Sequence, residues 1–166
     1  MKSALVGYWN DLRGPADLPA YAQFDATALP SLLPDLLVIR VHSDPLDFEY
    51  SLIGANVRRI HRENRRGQRM STIDGQSQGS QIWDFLVETV NRRDAVSFNA
   101  TYAGPVEEIT SVRSHATPWA GPDGGISRLV VHICKEHLAQ AKTQKSPFDD
   151  TPSRPRPFYS TRQNPQ

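Results

Sequence analysis

Cysteine is all but missing from this chain: Cys134 is the only one in 166 residues. No internal disulfide can form, and a reducing compartment is the natural setting. Long apolar runs are missing too, and nothing approaches the roughly 20 consecutive apolar residues that a membrane span needs. The opening stretch MKSALVGYWNDLRG has one lysine and a short apolar run that Asn10, Asp11 and Arg13 interrupt, which makes a poor signal peptide. A cytoplasmic protein with no membrane contact is expected. Net charge is nearly absent as well, at +1. Binding to nucleic acid or acidic lipid would therefore need a local patch, not a global pull. Catalytic signatures are the last absence: there is no G-x-S-x-G, no P-loop, no paired dinucleotide glycines and no recognisable partner pattern around Cys134. GPDGG at 121–125 lies between two strand-like runs and reads as a hairpin turn, not a phosphate loop.

Hydrophobic residues at 38% and charged residues at 22% suit a globular chain, and 18.6 kDa is room for one domain and a tail. Residues 3–13 can form a short amphipathic helix with Ser3 as N-cap, Leu5, Tyr8, Trp9 and Leu12 along one side, and Gly14-Pro15 as the stop. So short a helix must pack on the domain body or on a second copy of itself. Asp25 offers a cap for a turn ending near Leu29. Residues 36–41 read as a first strand, and HSDPLD at 42–47 as a hairpin-sized connection.

In FEYSLIGANVRRI at 48–60, Phe48, Tyr50 and Leu52 alternate as in a half-buried strand, and after Gly54 the apolar residues Val57 and Ile60 recur at helical spacing. A strand that turns so abruptly into a helix needs a residue tolerant of unusual backbone angles and close packing, and Gly54 supplies it. The helix is expected to run to about Arg66, with Gly67 as C-cap. A polar stretch anchored by Met70 and Ile73 follows. A second helix is expected over 80–93, with Ile82, Phe85, Leu86, Thr89 and Val90 on its inner face and Trp83 at the edge. Strands are expected at 96–102, 107–119 and 126–136, the last two as a hairpin. From about residue 142 the apolar pattern stops and prolines alternate with polar residues, which reads as a disordered tail.

The expected fold is α+β: a five-stranded antiparallel sheet, strands and helices in the sequence order ββαα(α)βββ, helices covering one face, and an additional N-terminal helix. The expected divisions are 1–24 for helix and lead-in, 25–141 for the domain and 142–166 for the tail.

The stretch 58–69 carries six arginines. Arg58, Arg62 and Arg65 share a helical face by spacing, able to meet an anionic partner such as an acidic protein, a nucleotide or a nucleic acid; the bland reading is a solvated face. No helix-turn-helix or RNA-binding signature supports nucleic acid. His132 and Cys134 share a strand face, and with His115 they could approximate a metal set. A hydrogen-bonded strand histidine is the plainer reading, and no metal or other cofactor is assigned.

The element order and a set of local motifs resemble the PAS superfamily, most closely a bacterial family of small single-domain PAS-like proteins. The motifs are Tyr8-Trp9, Leu12-Arg13-Gly14, Leu18-Pro19, Phe24-Asp25, Leu29-Pro30, Leu33-Pro34, then Phe48, Tyr50, Leu52, Gly54 and Gly67, and finally Thr117-Pro118-Trp119 with Asp123-Gly124. The chain departs from that family at Ser51, where an arginine is common, and at Arg62, where a second glycine is. The resemblance implies that Ile60, Trp83, Phe98, Tyr102, Trp119 and Leu129 line the space between sheet and helices, which is a small-ligand cavity in some PAS domains and a filled core in others. It also implies that Leu5, Tyr8, Trp9 and Leu12 form a homodimer surface. The function expected is a non-enzymatic regulatory or sensory module, acting through an unidentified small ligand or a protein partner. The rivals are a nucleotide or nucleic-acid binder using the face at 58–69, and a small enzyme with Glu107, Glu108 or His115 as acid or base.

Overall fold

The computed structural model describes residues 3–61, 63–101 and 111–134. Runs with period-two patterning and β-branched residues form β1 (Leu36–Ser43), β2 (Leu46–Ile53), β3 (Val96–Thr101), β4 (Ser111–Ala120) and β5 (Ile126–Ile133). They make one antiparallel sheet of five strands in the order β2-β1-β5-β4-β3. The first and last hairpins meet at its centre, where Leu36 pairs with His132 and Arg40 with Arg128. The expected strand and hairpin plan is the one found. Tyr102, Glu107, Glu108, Arg62 and the tail expected from 142 lie outside the described residues.

Three helices accompany the sheet: α1 (Ala4–Arg13), α2 (Ala55–His61) and α3 (Gln81–Arg92). The Ser80 hydroxyl caps α3 by accepting from the Trp83 amide, and Arg93 ends it with a left-handed φ of 51°. The inner face of α3 is rotated from the expected one. Trp83 is buried with Phe85, Leu86 and Thr89, while Ile82 and Val90 are only partly covered.

As expected, α2 and α3 cover one face of the sheet, and the additional N-terminal helix α1 packs on the other. On the α2–α3 side, Leu37, Ile39, Phe48, Tyr50, Leu129 and Val131 pack with Val57, Met70, Trp83 and Leu86. On the other side, Leu36, Val38, Trp119 and Val130 pack with Leu5 and Trp9 of α1 and with Leu18 and Leu29 of the lead-in. Strand alternation sends neighbours such as Leu36 and Leu37 into different cores. The indole of Trp9 donates to the Pro118 carbonyl at 2.7 Å. Arg13 lies 4.5 Å over the Trp9 ring and 3.7 Å from Asp94, and Arg93 reaches Asp17 at 2.7 Å, so the end of α1 is tied to the loop after α3. Ser3 precedes α1, but its side chain makes no capping bond; its hydroxyl lies 3.4 Å from His132 Nδ1 instead.

Leu5 and Trp9 are fully buried within their own chain and cannot be contact surface for a second copy. That corrects the dimer surface expected along α1. Tyr8 and Leu12 are partly buried against the same core.

A register shift between Val38 and Ile39 re-aims β2: Tyr50 pairs with Ile39, but Leu52 pairs with Val38. A β-bulge of this kind reverses side-chain parity along a strand. Phe48 and Tyr50 are therefore inside, whereas Leu52 is on the α1 side of the sheet and 40% exposed.

After Ile53 the chain turns at Gly54, whose amide donates to the Leu36 carbonyl at 2.8 Å and whose carbonyl accepts from Arg58. α2 is shorter than expected, ending at His61 and not near Arg66. Backbone pairing wins over helix continuation. The Gly67 amide donates to Tyr50 O at 2.7 Å, the Tyr50 amide donates to Gln68 O at 3.1 Å, and Arg69 bridges to Glu49, so this segment pairs with the free edge of β2.

Candidate functional site: the interior around Tyr50

The interior between sheet and helices is apolar except near one end, where four polar side chains gather. β2 places Tyr50, the end of α2 places His61, the turn beyond it places Arg65, and the loop after Ile73 places Gln76. The buried Tyr50 hydroxyl donates to Gln76 Oε1 at 2.8 Å. The His61 ring lies tilted 6.4 Å from that of Tyr50. Burial pushes the Tyr50 phenol up, against smaller opposing effects of Arg65 and the Gln76 hydrogen bond, so it stands as a neutral donor. Burial, and then the Arg65 guanidinium, hold the His61 imidazole below its ordinary value. Arg65 itself meets Glu63 at 3.1 Å.

The lowered His61 value makes stability depend on pH. The neutral ring suits the folded state, so its contribution is intact above the unfolded value of about 6.5 and is lost as pH falls through the lower folded value. Urea midpoints measured at stepped pH are expected to drop over that window, and His61→Gln is expected to shrink the drop. His115, lowered first by burial and then by Arg113, adds a drop of the same sign that His61→Gln leaves in place.

A second polar network fastens the segment after α2 to the hairpin. The buried Asp47 carboxylate accepts from the Ser71 hydroxyl at 2.6 Å and the Phe48 amide at 2.7 Å, with Arg69 at 3.7 Å. Burial alone would push this carboxyl up; the hydrogen bonds and Arg69 outweigh it and hold it below the ordinary range. Beside it, His42 Nε2 lies 2.8 Å from Glu49 Oε2, and Arg69 is 3.4 Å from His42 Nδ1.

The residues expected to line the interior divide. Trp83 meets Phe48 edge-on at 5.0 Å, Phe98 stacks on Phe85 at 5.0 Å, and Leu129 and Ile60 are buried. Trp119 does not line it. β4 turns this ring to the α1 side, where it contacts Phe24 at 5.2 Å and Tyr8 at 6.1 Å and donates to the Thr117 hydroxyl at 3.0 Å. The aromatic content of β4 was visible, but both sides of the sheet are apolar, so composition did not say which side Trp119 takes.

The arginine face is likewise divided. Arg58 is exposed on α2, whereas Arg65 lies beyond the helix in the turn. The two do not share a helical face, because α2 stops at His61. His115 and His132 pair across β4 and β5 with rings stacked at 6.4 Å on the α1 side, and His115 Nδ1 lies 2.7 Å from the Ser97 hydroxyl. His115 therefore does not face the interior, as an acid or base there would have to. Among the described residues no group of three or more His, Cys, Asp or Glu side chains is arranged to hold a metal ion. Gln76 was missed: it sits in a polar stretch without periodicity, and only the fold carries it to Tyr50.

This sheet, with helices following its first hairpin and a Gly54 hinge between them, fits the match between residues 1–128 and the family model described as PAS domain. The chain belongs to that family. Among solved structures it is similar to one titled "Structure of an RNA-binding Light-Oxygen-Voltage Receptor", at 12% identity and a TM-score of 0.45, over 76% of this chain. The chain spans only 38% of that receptor chain's length. No curated protein matches. No helix among the described residues is long and apolar enough to cross a membrane.

Proposed function

We propose that this PAS domain is a non-enzymatic regulatory module that passes its state on through contacts with a partner protein. The observation that carries this reading is the occupancy of the interior by its own side chains. Phe48 and Trp83 interlock edge to face, Phe85 and Phe98 stack, and Met70, Leu86 and Leu129 fill between them, all in or against one continuous core. Packing of that kind leaves the ligand positions of a sensory cavity filled with protein.

A second reading, small-ligand sensing, is favoured by one feature: the hydroxyl of Tyr50, the amide of Gln76 and the imidazole of His61 gather at one end of that core. Native mass spectrometry of the protein as purified from cells separates the two. The mass of the bare chain is expected. A stoichiometric extra mass that is released on denaturation, and lost in Tyr50→Phe, would overturn the filled-interior reading in favour of sensing.

A further inference from the structure

On the α1 side of the sheet one row of side chains crosses four strands. Glu49 pairs with Arg40, Arg40 with Arg128, and Arg128 with Trp119. Two arginines thus stand directly opposite each other, an arrangement that costs stability unless a counter-charge joins them. Neither has an ion pair among the described residues. Glu49, the acid of the row, has its carboxylate hydrogen-bonded by His42 at 2.8 Å and feels the charges of Arg40 and Arg69 without an ion pair to Arg40.

Arg128 is held in place without being neutralised. Its guanidinium lies 5.2 Å from the centre of the Tyr21 ring, NH1 donates to the Ser127 carbonyl at 2.8 Å, and Nε is buried without a partner. Arg40 is exposed beside it. Leu52, turned to this face by the bulge, stands opposite Val38, two residues along β1 from Arg40. Two guanidinium groups, neither held in an ion pair among the described residues, therefore share a face with a half-buried tyrosine and an exposed leucine.

We propose that this face is a docking surface for an acidic, leucine-bearing peptide segment of a partner protein, its carboxylates bridging Arg40 and Arg128 and its apolar side chains covering Leu52 and Tyr21. Carboxylates match the planar fork of arginine in two-point contacts. A small inorganic anion would leave Leu52 in water. A nucleic acid would set an unbroken run of phosphates against Glu49, next to Arg40 in the row, where a peptide can place a neutral side chain.

This inference rests on the protein-contact reading, yet it fails separately: a bound small molecule in the native mass overturns that reading and leaves the Arg40 measurement unaffected. The experiment follows the side-chain Nε–Hε signals of arginine in the nitrogen-15-labelled full chain during titration with a short synthetic peptide of alternating glutamate and leucine. Saturable shifts at Arg40 and Arg128, and none at Arg92, which is paired with Glu88 on α3, are expected. Arg40→Gln removes an exposed charge and no core contact, so it is expected to fold and to weaken binding roughly tenfold. Leu52→Ser is expected to weaken it further. Equal affinity for a lysine–leucine peptide, indifference to Arg40→Gln, inorganic phosphate binding as tightly as the peptide, or the same shifts on concentrating the protein alone would each overturn the proposal.

Discussion

Gly54→Ala is expected to cost about 4 kcal/mol or more, and Gly54→Val to prevent folding. A methyl group built at this position would lie 2.4 Å from the Pro34 carbonyl oxygen and 2.6 Å from that of Leu33. Both obstacles are backbone, so no rotamer change relieves them. The same turn is held by the Gly54 amide on Leu36 O at 2.8 Å and by Asn56, whose side chain donates to the buried Asp35 carboxylate at 2.7 Å. Moving the chain aside would break these bonds as well. Gly67→Ala provides the contrast: its added methyl meets open space, and the penalty comes from the left-handed φ of 81° alone, on the order of 1 kcal/mol. Denaturant unfolding of the two variants side by side checks the difference. A Gly54→Ala protein as stable as Gly67→Ala would show that the loop at 33–34 gives way easily.

Trp9→Ala is expected to lose about 3–5 kcal/mol, the range for emptying a buried aromatic site. The indole fills the centre of the α1-side core, donates to Pro118 O at 2.7 Å and carries Arg13 on its outer face. Because all these contacts lie within one chain, the unfolding midpoint of both the parent and the variant is expected to be independent of protein concentration. A midpoint that rises with concentration would mean that α1 is supported by a second copy after all.

Much of the sheet was legible in the sequence because a strand declares itself through local alternation. Val96 and Phe98 against Ser97 and Asn99, or Gly121 to Gly125 between two strands, carry their meaning within a few residues. The same holds for Gly54, where a change of hydrophobic period marks the turn. What α1 packs against was not legible. Leu5 and Trp9 announce an apolar stripe but not its partner, and only the pairing of β1 with β5 creates the surface that receives them.

The misreadings at Leu52, Trp119 and Arg65 share this cause. Leu52 follows the parity of Tyr50 in the sequence and loses it to a bulge at Ser51 in its own strand. Trp119 belongs to a strand with apolar residues on both sides. The arginines after His61 suit a helix, yet the free edge of β2 offers their backbone better hydrogen bonds. Of the candidate site, Tyr50 was legible as an inward strand residue, while the role of Gln76 depends on a contact 26 residues away in the chain.

β1 is a partition with a load on each side. Leu36 and Val38 belong to one core, Leu37 and Ile39 to the other, and one rigid backbone carries all four. A displacement of that backbone by repacking around Phe48 and Trp83 must also move the seat of Trp9. Helix α1 and the far interior thus lean on the same strand.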